Sequence, residues 1–250
     1  MSKEKGSVTT AKPQDSNAPM TALVEYQVRT EEITVDDWLD EWQKRAQDAF
    51  DAEPETTTYA AAASLEDDSS LFFYEHYESG RAGLKLHMER SSHALLNETM
   101  AARRMTKRRV MSTGFFDLPD FGFRGRDGNT LIKEGAVFVL SGLRFGDDGH
   151  RGEFIRMSQG HADYCFAEKP ATLIYSSGIA GQDVDRGADI KQGDLIFIVA
   201  FSDMAAAAEH EGDSRYATIR QHFIDTGAEM TTTFQKMYRT TGHGFLLKAM

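Results

Sequence analysis

Between residues 22 and 28 the chain reads ALVEYQV, with Val24, Tyr26 and Val28 on one side of a period-two alternation. That is the pattern of a half-buried strand. The period changes at Thr34, a residue placed to cap a helix, with Asp36 and Asp37 in the first turn. Carboxylates there meet the positive end of the helix dipole. Val35, Trp38, Leu39, Trp42, Ala46, Ala49 and Phe50 follow at helical spacing, and Pro54 stops the run. TTTYAAAAS (56–64) starts as a strand, EDDSS (66–70) supplies a turn, and LFFYEHYES (71–79) is a strong strand. In it Leu71, Phe73, Glu75 and Tyr77 face one side, and Phe72, Tyr74 and His76 the other. A helical stretch over about 80–102 and the aromatic strand VMSTGFFDLPDFGF (110–123), bent at Pro119, complete the order β-α-β-β-α-β.

The second half runs through the same order. VFVLSGL (137–143), TLIYSS (172–177), LIFIVAF (195–201) and TTTFQKMYRTT (231–241) read as strands; 153–167 and most of 203–225 read as helices. Core positions also match. Trp38 and Phe154, Leu39 and Ile155, Ala46 and Ala162, Phe50 and Phe166, Pro54 and Pro170, and Tyr59 and Tyr175 all stand 116 residues apart. Leu71 meets Leu195 at 124, the loop GIAGQDVDRGADIKQG (178–193) absorbing the difference, and His87 meets His210 at 123. A coherent series of core positions points to a tandem repeat.

One β-α-β-β-α-β unit is a four-stranded antiparallel sheet with helices on one face, and its bare apolar face must be covered. Two such sheets packed face to face close a barrel. The predicted fold is therefore α+β: two ferredoxin-like repeats packed sheet to sheet as an intramolecular dimeric α+β barrel. The expected divisions are a disordered polar tail over 1–19, a first domain over 20–125 and a second over 126–250. A homodimer in which each half pairs with a neighbouring molecule is the alternative to a monomeric pseudo-dimer.

Composition narrows the partners. With 28 basic against 39 acidic residues, the formal net charge is −11, which argues against nucleic acid or an anionic membrane surface as a general partner. The basic run Arg103, Arg104, Lys107, Arg108 and Arg109 reads as a solvated helix end or inter-repeat linker. One cysteine, Cys165, excludes an intrachain disulfide and a zinc cluster built on cysteines, and favours a reducing compartment, the cytoplasm. No window approaches the ~18 apolar residues of a membrane span, and the N-terminus lacks the apolar stretch of a secretory signal. The glycines of FGFRGRDGN (121–129) fit neither a dinucleotide nor a P-loop spacing, and HExxH does not occur.

VEYQV, the Trp-containing helix ending at EPETTTY (53–59) and LFFYEHYESGRAGLKLHMERSSHALL (71–96) together resemble the antibiotic biosynthesis monooxygenase (ABM) family of dimeric α+β barrels. The resemblance is carried by an acidic-x-aromatic strand end, Glu75 and Tyr77, followed by His87 and then His93. Over 135–241 it is fainter: Val199, Phe201 and Tyr216 stand at the Glu75, Tyr77 and His93 positions, and His210 is kept. The second copy reads as degenerate, so an active pocket is expected in the first half, around Tyr77 and His87.

The resemblance implies an oxygenase without cofactor or metal that uses O₂ to oxidise an aromatic phenol, quinol or anthrone, such as a polyketide-derived intermediate of secondary metabolism. Such chemistry needs a base to make the substrate an electron-rich anion, and a dry aromatic pocket. His87, Tyr77 and His93 are the catalytic candidates; Tyr74, Glu75, Trp38, Trp42, Phe73 and Tyr59 are the candidates for substrate contact. Each also has a plainer reading: locally bonded helix histidines, or aromatic core. Tyr59, matched by Tyr175, suits structure better than catalysis. Tyr74 and Tyr77 leave opposite faces of their strand, so only one of them can enter a given cavity. Six residues apart, His87 and His93 cannot share a face of an undistorted helix, so one is expected to face the cavity and the other an interface. A haem-degrading branch of the superfamily uses an Asn, a Trp and a His. Here the first strand has no Asn and Tyr77 replaces the Trp, which argues against it. Two alternatives remain: a non-catalytic barrel that binds a hydrophobic small molecule or acts as an assembly partner, and a non-oxidative isomerase, cyclase or dehydratase on the same scaffold.

Overall fold

The computed structural model describes residues 17–126 and 133–248. Residues 1–16 of the expected tail, and residues 127–129 of the glycine run, lie outside them. The first half contributes β1 (Met20–Val28), α1 (Val35–Ala52), β2 (Thr56–Ser64), β3 (Ser70–Tyr77), α2 (Arg81–Glu89), α3 (Ser91–Ala102) and β4 (Thr106–Asp117). The second contributes β5 (Val137–Phe145), α4 (Asp148–Glu168), β6 (Thr172–Ala180), β7 (Leu195–Phe201), α5 (Met204–Glu211), α6 (Ser214–Asp225) and β8 (Met230–Phe245).

Local chemistry sets these boundaries. The Thr34 hydroxyl accepts from the Asp37 amide at 3.0 Å while the Asp37 carboxylate accepts from the Thr34 amide at 3.3 Å. This reciprocal cap satisfies amides that the first turn leaves open. Asp147, Asp203 and Asp213 cap α4, α5 and α6 with the one-way half of this arrangement, each side chain accepting from a first-turn amide.

The strands form one closed antiparallel barrel in the order β1-β3-β2-β8-β5-β7-β6-β4. Each half supplies a four-stranded sheet, β4-β1-β3-β2 or β8-β5-β7-β6, and the β2–β8 and β4–β6 pairs join them. Both sheets come from one chain, so the barrel is an intramolecular pseudo-dimer. The two halves share even an irregularity. Thr56 pairs with Tyr77 and Thr58 with His76; Thr172 pairs with Phe201 and Ile174 with Ala200, each with a slip of register between the two pairs. The slips fall at the same offsets, 116 on one strand and 124 on the other, as the matched core residues.

Alternation sorts the strand side chains into layers. Leu23, Phe72, Tyr74, Phe115, Phe138, Leu140, Ile196, Ile198 and Tyr238 fill the barrel. Phe73, Tyr59, Leu71 and Phe245 face outwards under α1, where Trp38, Trp42, Ala46 and Ala49 pack on them. Phe154, Ala162, Tyr175, Phe197, Phe201 and Phe223 form the corresponding layer of the second half.

One expectation needs correction. The helix predicted over about 80–102 is two helices, broken at Arg90, whose backbone is extended (φ −70°, ψ 142°). The break is held from outside. Arg90 donates two hydrogen bonds of 2.7 Å to Asp48 on α1, and the Ser92 hydroxyl donates a third. The second half repeats the break between α5 and α6. The basic run is the solvated end of α3 and the start of β4: Arg103 reaches Glu41 at 2.8 Å and Arg104 reaches Glu32 at 3.0 Å.

Candidate functional site

The apolar stripe of α1 contains one charged residue, Arg45, three positions beyond Trp42 and 1% exposed. A guanidinium without water needs anions and carbonyls. It finds the Glu53 carboxylate, in a very short contact, and the His87 carbonyl at 3.2 Å. Glu53 also lies 2.8 Å from His87 Nδ1 and accepts from the Thr56 hydroxyl at 2.7 Å. Burial alone would raise the Glu53 carboxyl, but the hydrogen bond and charge of His87, the Thr56 hydroxyl and Arg45 outweigh it and hold it at about 2. His87 Nδ1 also lies 2.8 Å from Arg45 Nη2, which has only protons to offer, so of these two neighbours only Glu53 can accept a ring proton. In the neutral ring bonded to Glu53 in this way, Nε2 carries the lone pair.

Aromatic rings enclose that imidazole. Tyr59, Tyr77 and His93 have ring centroids 5.0, 5.4 and 5.5 Å from it. The break at Arg90 removes the expectation that His87 and His93 point apart: they sit on different helices and their rings meet. Burial, with the positive charges of His87 and Arg45, lowers His93 to about 4. The Tyr77 hydroxyl donates to Glu75 at 2.7 Å, and Trp42 Nε1 donates to the Tyr59 hydroxyl at 3.0 Å. Burial first, and the charge of Glu75 second, push both phenols well above their ordinary range. Trp38, Trp42 and Phe73 stack behind them, 4.9–5.0 Å between Phe73 and each indole. Eight of the nine candidates thus gather on one face of the first sheet.

Tyr74 is the ninth, and it belongs elsewhere. Its ring lies inside the barrel, 5.8 Å from Phe138, because β3 alternates. Beside it, at the barrel end, His76 bridges Thr57 Oγ1 (2.6 Å) and Asp117 Oδ2 (2.7 Å), and Asp117 also takes Thr21 and Arg124. Both nitrogens of His76 are engaged, so this triad serves as a clamp across β1 to β4. Arg45 and Glu53 were not among the candidates, although a lone charge on a buried helical stripe was the available signal for Arg45.

The second half has the same arrangement with altered chemistry. His210 lies 5.9 Å from Tyr175, 5.0 Å from Phe201 and 5.4 Å from Tyr216, as His87 does from its own three rings. A cavity of about 230 Å³ opens beside it, lined by Cys165, Lys169, Thr172, Glu209, His210 and Asp213. A shallower one of about 380 Å³ lies beyond His161 and Arg215. Neither cavity is lined by His87, which is 2% exposed.

No protein-family model matches the chain, and no curated protein matches its sequence. Solved structures do match. One from Lactobacillus acidophilus, described as a "putative monooxygenase", has a TM-score of 0.65 and 12% identity over 92% of this chain and 99% of its own. Another so described, from Fusobacterium nucleatum, has a TM-score of 0.69 and 9% identity over 93% and 95%. An "anthrone oxidase-like protein" has a TM-score of 0.51 and 10% identity over 94% and 95%. At these identities the likeness is one of fold. The chain shares with these structures an α+β barrel fold, and the similarity spans both halves.

Among the described residues no helix is long and apolar enough to cross a membrane.

Proposed function

We propose that the protein is a monooxygenase-like enzyme that oxidises an aromatic phenol, quinol or anthrone with O₂, the substrate itself supplying the electrons. The observation that carries this reading is the His87 imidazole, fixed through Nδ1 by Glu53 and enclosed by Tyr59, Tyr77 and His93. His87 Nε2 takes the acidic proton of the substrate. The resulting anion passes one electron to O₂, and the carbon radical and superoxide combine into a C–O bond. Loss of water from the hydroperoxide leaves one oxygen atom in the product carbonyl and the other in water, which balances the reaction without an external reductant. Arg45 opposes the negative charge that develops beside His87. Trp42, Phe73 and the two tyrosines form a dry wall that limits escape of the radical pair. The names of the monooxygenase-like and anthrone oxidase-like structures support the same class. A single unpaired thiol, Cys165, supports a cytoplasmic setting.

The test is oxygen consumption with a panel of naphthols and anthrones in metal-free buffer. His87→Ala is expected to lower turnover about 100-fold, the scale of a lost general base. Turnover equal in wild type and variant, or no turnover of any panel member, would end the proposal. A second reading, a non-catalytic barrel binding a hydrophobic molecule, is favoured by the position of both described cavities in the second half, away from His87. Ligand-induced stabilisation without oxygen uptake would support it.

A further inference from the structure

The second half replaces a built-in cation with three metal-binding side chains. At the 116-residue offset Arg45 becomes His161, Ala49 becomes Cys165 and Glu53 becomes Lys169, while His87 becomes His210 at 123. Where the first half sets a guanidinium against its histidine, the second sets an imidazole and a thiol. Cys165 Sγ lies 3.6 Å from His161 Nε2 and 3.9 Å from His210 Nδ1. The three donor atoms all fall within 4.8 Å of one another.

We propose that His161, Cys165 and His210 form a zinc site, with a fourth coordination position open to the adjoining cavity. Three observations lead to it. The spacing is right: Zn–S and Zn–N bonds of about 2.3 and 2.05 Å at a tetrahedral angle put sulfur ~3.6 Å from nitrogen. The donors suit the ion, since imidazole and thiolate are its preferred ligands and a divalent ion with this set is held without demand for a special geometry. The third concerns His161, which is 3% exposed and whose Nε2 has the Cys165 thiol, 3.6 Å away, as its one hydrogen-bonding contact among the described residues. A buried imidazole held only by a long contact to a thiol has no other polar reason for its position, and an ion between the rings supplies one.

The helices fix the geometry. His161 and Cys165 are one turn apart on α4, so their side chains leave the same face. His210 comes from the last turn of α5, where the break before α6 turns its ring towards α4. The cavity of about 230 Å³ touches both Cys165 and His210, and Thr172, Glu209 and Asp213 also line it. The open position therefore admits water or a small oxygen-donor ligand. Binding releases one proton: the Cys165 thiol becomes a thiolate bonded to the ion, and both imidazoles remain neutral. A mixed site of one thiolate and two imidazoles lies outside the reasoning that excluded a zinc cluster built on cysteines.

Cobalt(II) titration of the untagged full-length protein tests this directly. Uptake of one equivalent, a near-ultraviolet thiolate-to-cobalt band, tetrahedral visible bands and displacement of cobalt by Zn²⁺ are expected. Since the chain has one cysteine, any thiolate band reports Cys165 alone. Cys165→Ala places in α4 the residue that α1 already has at Ala49, so it is expected to fold, with the thiolate band gone and Co²⁺ bound at least about tenfold more weakly. His210→Gln is expected to weaken binding similarly while the melting curve without metal is retained. Absence of the band in the wild type, or its persistence in His210→Gln with unchanged affinity, overturns the site. The result is independent of oxygen uptake with phenols, which reads the first half.

Discussion

Glu53 Oε2 stands 2.8 Å from His87 Nδ1, so a carboxylate just beyond the end of α1 fixes an imidazole at the end of α2. The same carboxylate neutralises Arg45. Glu53→Gln removes the charge but keeps the shape, which leaves a buried guanidinium without its main partner. Loss of one partner of a buried pair costs about 3–5 kcal/mol. Urea unfolding is expected to show a loss of about 3 kcal/mol, largely recovered when Arg45→Met is added. A double variant as unstable as the single one would show that the pair does not carry the effect.

Much of this site was legible in the sequence, and the reason is alternation. Period two along β3 puts Glu75 and Tyr77 on the same face as Phe73, and helical spacing on α1 puts both tryptophans over it. The same rule excludes Tyr74, whose strand parity sends it into the barrel. The meeting of His87 and His93 was not legible, because it depends on a helix break. Arg90 and Ser92 make that break favourable only through Asp48, more than 40 residues earlier on α1. Glu53 was hidden for a related reason: it meets Arg45 and His87 only once α1 and α2 are packed. The matched offsets 116 and 124 reappear as equivalent slips of strand register, so the correspondence of the halves was readable to single residues.

The pH dependence of stability should carry the signature of His93. Its folded form is held at about 4 by burial and nearby positive charge, against 6.5 when unfolded. Between those values the unfolded chain binds the proton and the folded chain does not. Stability is therefore lost as pH falls from 6.5 through about 4. His161 and His210 are lowered in the same direction, so the variant is compared with the wild type rather than with a flat line. His93→Gln is expected to show a shallower decline in unfolding free energy across this window. Parallel curves for the two proteins would refute the assignment.

The halves are tied through the barrel as well as along its seams. Glu25 on β1 accepts from Lys236 Nζ at 2.6 Å and from the Tyr238 hydroxyl at 3.1 Å, both on β8. Lys236→Met leaves a carboxylate that is 4% exposed without its cation, with only the Tyr238 hydroxyl still donating to it, at a cost of about 3 kcal/mol. Because the link joins the two sheets, the unfolding transition should shift as one in calorimetry. A separate early transition would mean that one half unfolds alone. Adding Glu25→Gln should restore most of the loss.

Two glycines make opposite predictions with the same substitution. Gly160 lies inside α4, and an added Cβ would meet nothing within 4 Å. Alanine there removes the helix penalty of glycine and should stabilise the protein by about 0.5–1 kcal/mol. Gly178 lies on β6 in the short β4–β6 seam, opposite Asp117. Its added Cβ would stand 2.1 Å from the Phe115 ring and 2.3 Å from the Phe116 carbonyl oxygen. Phe115 is fully buried in the barrel, and the carbonyl belongs to the partner strand, so neither can yield cheaply. Gly178→Ala should therefore cost at least about 2 kcal/mol and loosen the closure between β4 and β6. Chemical denaturation gives the two signs, and hydrogen exchange at the amides of residues 115–117 and 178–180 locates the second effect. A neutral Gly178→Ala, with those amides still protected, would show that the seam has more room than its packing indicates.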